Sequence, residues 1–79
     1  MSREKEIKEE NRKIRYMTLM ADLTMSLIKE KVLSVEEAIQ CVERFRSLVL
    51  ELFPGKEETF EIIYRPRFKR LIEETYRIN

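Results

Sequence analysis

Glycine, proline, cysteine, histidine and tryptophan are nearly missing from this chain, and each shortage excludes something. One Gly and two Pro in 79 residues leave little turn chemistry, so a many-stranded fold with frequent reversals is ruled out. No phosphate-cradling glycine loop can be written with one Gly. A single cysteine, Cys41, allows no disulfide within the chain and suits a reducing compartment. The absence of His removes the commonest general base and metal ligand, and no metal-ligand spacing appears. No apolar run approaches the length of a membrane span, and the N-terminus lacks the apolar core of a signal peptide. The expectation is a cytoplasmic protein with no cofactor, no membrane association and no enzymatic activity.

What the chain does have is charge. Charged residues make up 39%, with a net charge of only +1. The two signs are unevenly spread. Residues 1–15 carry six basic and four acidic groups, residues 22–61 five and nine, and residues 62–79 five and two. The ends are mildly positive and the middle negative. A protein that coats nucleic acid usually carries a larger excess.

Three internal signals divide the sequence. Ser34-Val35-Glu36-Glu37 is a helix start, in which Ser34 caps the Glu37 amide and Glu37 reaches back to the Ser34 amide. Leu33-Ser34-Val35-Glu36-Glu37-Ala38 resembles the opening of helix-turn-helix DNA-binding domains. The short helix, Gly-containing turn and recognition helix of that motif do not follow. Pro54-Gly55 is a stop: the residue before proline leaves the α region, and glycine permits the reversal. Pro66 interrupts a pattern that is otherwise helical.

The segments between these signals read as helices. The first runs from about Ser2 to Lys31, with residues 1–13 forming a charged N-terminal extension. Ile7, Ile14, Met17, Ala21, Thr24 and Ile28 recur in a heptad-like seam. Met20, Leu23 and Leu27 form a second stripe beside it, with Leu19 and Met25 further round. A helix so apolar on several sides contacts more than one partner. The second helix runs to about Phe53 on the stripe Ala38, Val42, Phe45, Val49 and Leu52. The third starts at Glu57-Glu58 and carries Phe60, Tyr64, Phe68, Leu71, Thr75 and Ile78. Thr59–Tyr64 could pass for a strand, but nothing in the sequence would pair with it. At Pro66 the third helix either kinks or splits, and a kinked, nearly continuous helix is the expectation.

The fold expected is therefore one all-α domain over residues 1–79. It is a three-helix antiparallel bundle with a long N-terminal helix and a third helix kinked near Pro66, completed by dimerisation. The dimer follows from size. A compact globule of this mass buries roughly 9,000 Å² on folding. If just over half is apolar, that contributes about 120–130 kcal/mol at ~25 cal/mol per Å². Ordering the chain costs about 120 kcal/mol. One chain alone is marginal, and Ile7, Ile14, Met17 and Ala21 form the candidate oligomer seam.

Few residues invite a chemical reading. Arg65, Arg67, Lys69 and Arg70 cluster around Tyr64, Pro66 and Phe68, a candidate surface for an anion or a partner. Pairing with Glu57, Glu58, Glu61, Glu73 and Glu74 is the plainer alternative. Cys41, without a histidine base, reads as a buried, inert thiol. Met17, Met20 and Met25 read as core fillers. Asp22, in the most apolar part of the first helix, is either exposed or paired with Arg44 or Arg46. The function expected is a small non-enzymatic helical protein–protein interaction or assembly module, homo-oligomeric. The alternative is a nucleic-acid-binding regulator using Arg65–Arg70.

Overall fold

The computed structural model describes residues 2–77, so Ile78 lies outside the described residues. It contains three α-helices and, among those residues, no strand: α1 (Ser2–Lys29), α2 (Val35–Leu52) and α3 (Glu57–Tyr76). The segment Thr59–Tyr64 is helical. Helix α3 is one element running through Pro66, so it does not split there.

The helix ends follow local chemistry. Helix α1 stops two residues earlier than its pattern implied, because Lys31 takes a left-handed backbone (φ 56) and its amide donates to the Ile28 carbonyl at 3.1 Å. At the start of α2 the capping box is complete: the Glu37 amide donates to Ser34 Oγ at 3.1 Å, and the Ser34 amide donates to Glu37 Oε1 at 2.9 Å. Those bonds hold the Glu37 carboxyl below its ordinary value, the Ser34 backbone amide being the main cause. Helix α2 ends at Leu52, where Phe53 precedes Pro54, and Gly55 makes the turn at φ 84. The turn lets α3 run back along α2, with Glu43 facing Arg65 and Arg46 facing Glu61.

All three helices pack against one another. The core joins Ala21 and Ile28 of α1, Ala38, Val42, Phe45 and Val49 of α2, and Phe60, Phe68 and Ile72 of α3. Ile72, absent from the expected α3 stripe, is buried because it adds to the same face one turn beyond Phe68. Phe45 is the hub: its ring centroid lies 6.1 Å from Phe60, 5.5 Å from Tyr64 and 5.6 Å from Phe68. Thr24, buried in this layer, donates from Oγ1 to the Met20 carbonyl at 2.7 Å. Met17, Met20 and Met25 pack against the core edge, as their gap-filling role predicts. The Tyr76 hydroxyl donates to the Leu33 carbonyl at 2.7 Å and ties the end of α3 to the α1–α2 connection.

The molecule is long, 52 × 23 × 15 Å. Helix α1 rises about 42 Å and α2 about 27 Å at 1.5 Å per residue. Helix α1 therefore projects beyond the bundle at its N-terminal end, and residues 3–12 are all exposed.

Candidate functional site

Helix α1 has two apolar faces, and only one is covered. At 100° per residue, Met17, Ala21, Thr24 and Ile28 lie within about 60° of one another and form the core face. Tyr16, Leu19, Leu23 and Leu27 lie within about 80°, centred roughly a third of a turn away. These four are exposed, at 45%, 55%, 49% and 43%. Arg12, exposed, falls on the same arc at its N-terminal end; Glu30, exposed, is the first residue past α1, and its amide still donates to the Ser26 carbonyl at 3.0 Å, which carries the helical turn on to the other end of the arc.

The exposed row continues onto α2. Met20, Leu27, Cys41, Arg44 and Leu48 share a hollow of about 210 Å³ over the core residues Thr24 and Phe45. Cys41, expected to be buried, is half-buried at the edge of this hollow. It sits beside the core stripe of α2 rather than on it, so α1 covers it only in part. The face is thus a contiguous apolar strip built from two helices. Exposed apolar strips of this kind mark interaction sites in folded proteins.

The expected seam is divided by the fold. Ala21 is 6% exposed and belongs to the core. Met17 is half-buried against the core edge. Ile14 and Ile7 are exposed, and Ile14 lines an apolar hollow of about 250 Å³ with Met17, Val49, Phe53, Phe60 and Ile63. The four residues lie within about 80° on one face of α1, of which the bundle covers the Ala21 end and leaves Ile7 and Ile14 exposed. Tyr16, Leu19 and Leu23 complete the larger exposed strip. The two-stripe pattern of α1 was its signal in the sequence, but no pattern says which stripe a partner helix covers.

The basic segment is also divided. It lies within α3. The Arg65 guanidinium binds two carboxylates: Nη1 donates to Glu43 Oε2 at 2.6 Å, and Nε donates to Glu61 Oε1 at 2.9 Å. It also stands 5.4 Å from the Phe60 ring centroid. Glu61 first, then Glu43, hold the Arg65 guanidinium above its ordinary pKa. Arg46 Nε donates to Glu61 Oε2 at 3.0 Å, closing a four-residue chain across the α2–α3 surface. Hydrogen bonding from Arg65, with Arg46 adding to it, holds the Glu61 carboxyl below its usual range.

Arg67 and Arg70 turn the other way. They line a groove of about 400 Å³ between α1 and α3 with Met25, Lys29, Pro66, Leu71 and Glu74. Lys69 is exposed, as is Asp22 on α1. Phe68 is 1% exposed, and Tyr64 stacks on Phe60 at 5.7 Å between centroids, so both rings serve the core. Among the described residues, no group of three or more His, Cys, Asp or Glu is placed to hold a metal ion, and no helix is long and apolar enough to cross a membrane.

Comparison with protein-family models, with curated proteins and with solved structures gives no match to this chain.

Proposed function

We propose that this chain is a small non-enzymatic helical module for protein–protein interaction, working in the cytoplasm as a homo-oligomer, most simply a homodimer. The observation that supports this reading is the uncovered strip Tyr16–Leu19–Leu23–Leu27, flanked by Cys41 and Leu48. A second argument is area. The chain exposes 6243 Å². A compact monomer of this mass exposes about 5,100 Å². The excess of roughly 1,100 Å² per chain is more than the ~800 Å² that one partner contributes to a standard interface, and the exposed N-terminal stretch of α1 accounts for part of it. A bend of α3 at Pro66, where the Ile62 carbonyl lacks a donor, belongs to the same reading and lets the helix follow the core.

Light scattering or sedimentation at micromolar concentration tests it. The expected mass is near twice 9.7 kDa. A monomer that remains stably folded refutes it.

Nucleic-acid binding is the second reading. Arg67, Lys69, Arg70 and Lys29 carry it, since Arg65 is engaged by Glu43 and Glu61. Binding to a polyanion that weakens steeply with salt would support it. No affinity at low salt would remove it.

A further inference from the structure

The uncovered strip of α1 has opposite charges at its two ends. Read along the row, the residues are Arg12, Tyr16, Leu19, Leu23, Leu27 and Glu30. Arg12 precedes the apolar run and Glu30 follows it, both on the same arc and both exposed. A strip with this order complements a reversed copy of itself. In an antiparallel pairing of two α1 helices, Arg12 of each chain meets Glu30 of the other. Leu19 of each then faces Leu23 of the other, and the two-fold axis passes between the two helices at the level midway between Leu19 and Leu23. A parallel pairing in register would set Arg12 against Arg12 and Glu30 against Glu30, which is repulsive at both ends.

We infer that the occupant of this strip is a second copy of the same chain, docked antiparallel along α1 with Arg12 opposite the partner's Glu30. This rests on the self-associating reading above and adds the surface, the orientation and the register.

Two further features support the arrangement. A two-fold axis makes the same patch serve both chains, and this patch is self-complementary in charge as well as apolar in its centre. The area also suffices. From Arg12 to Glu30 the strip rises about 27 Å, and with the α2 flank it is about two helix diameters, roughly 20 Å, across. That is about 540 Å² per copy and on the order of 1,100 Å² for the pair, which clears the ~1,000 Å² expected of a specific interface. Cys41, Arg44 and Leu48 lie on that flank, so α2 of each copy borders the seam. The dimer core becomes a layer of four helices, α1 and α2 from each chain. Ile7 and Ile14 lie about half a turn round α1 from the strip and take no part in it.

Four variants and one distance measurement test this. Leu23→Glu places a carboxylate at the centre of the seam. It should weaken self-association by about 100-fold or more, because a charge there loses its water without gaining a partner. The side chain is half exposed in the single chain, so the fold should persist by circular dichroism. Arg12→Glu alone should weaken the dimer by about three- to tenfold, since two such pairs occur per dimer and each is exposed. Arg12→Glu combined with Glu30→Arg should restore wild-type affinity.

For orientation, a spin label is attached at Asn11→Cys in a Cys41→Ala background. An antiparallel dimer in this register sets residue 11 opposite residue 31 of the partner. The two labels are then about 30 Å apart along the axis, whereas a parallel dimer brings them within about 15 Å. Restoration by the double swap together with the long distance supports the inference. A short distance overturns the orientation. A wild-type dimer that survives Leu23→Glu but dissociates with Ile7→Glu overturns the surface while leaving the self-associating reading intact. A folded wild-type monomer overturns both.

Discussion

Replacing Phe45 should be the most damaging single change in the core. Its side chain is 3% exposed and meets rings from three positions of α3 at 5.5 to 6.1 Å. Phe45→Ala removes the buried ring and leaves a cavity, which costs about 3–5 kcal/mol. A chain of this length has a total stability of about 4–12 kcal/mol. Phe45→Leu keeps most of the volume but loses the tilted and edge-on ring contacts. Those are worth about 0.5–1.5 kcal/mol per pair, so the three pairs bound the loss at about 1.5–4.5 kcal/mol, and the lower part of that range, about 1.5–3 kcal/mol, is expected because leucine refills most of the volume. Urea denaturation at fixed protein concentration reads the difference, since self-association makes stability depend on concentration. With a slope of about 1 kcal/mol per molar for a small domain, Phe45→Leu should lower the midpoint by about 1.5–3 M. Phe45→Ala should lower it by about 3–5 M. Ile62→Ala is the control: Ile62 is on the same helix as three of these rings but 66% exposed, so its loss should cost under about 0.5 kcal/mol. A Phe45→Ala cost below about 1.5 kcal/mol, or an equal effect at Ile62, would refute the placement of the core.

Ser34→Ala should cost about 1 kcal/mol in the same assay, because it removes the acceptor of the Glu37 amide; a loss under ~0.3 kcal/mol would mean that the cap contributes nothing. Lys31→Gly should stabilise by about 0.5–1 kcal/mol, since Lys31 holds a left-handed backbone that glycine adopts freely; a destabilised variant would refute that strain. Acidification should weaken the fold through Glu61 and Glu37. Both carboxyls are held below their ordinary value of 4.5 in the folded chain, so their contribution is present above that value and is lost as pH falls through the lowered one. Following the urea midpoint from about pH 6 to about pH 3, Glu61→Gln should show a shallower fall than the wild type, and parallel curves would contradict the pairing with Arg65.

The helices and their ends were determined by local sequence. One glycine, a capping box at Ser34–Glu37 and the Pro54–Gly55 stop act within a few residues of themselves, and the structure places α2 and α3 accordingly. The α2 face was equally legible, because Ala38, Val42, Phe45 and Val49 repeat at helical spacing and all four are buried. Helix α3 through Pro66 was a local contest between proline sterics and the apolar pattern, and packing of Phe60, Phe68 and Ile72 on one face favours continuity. What only the tertiary structure decided was partnership. Two apolar stripes on α1 look alike in sequence, yet Ala21 and Ile28 meet α2 and α3, while Leu19 and Leu23 face outward. Likewise Arg65, Arg67 and Arg70 form one basic run in sequence. In the fold, a helix turning 100° per residue sends Arg65 to Glu43 and Glu61 and the other two to the α1 groove. Periodicity fixes which residues share a helix face. Which face is covered depends on the rotation of each helix about its axis, and that is set by the packing of all three together.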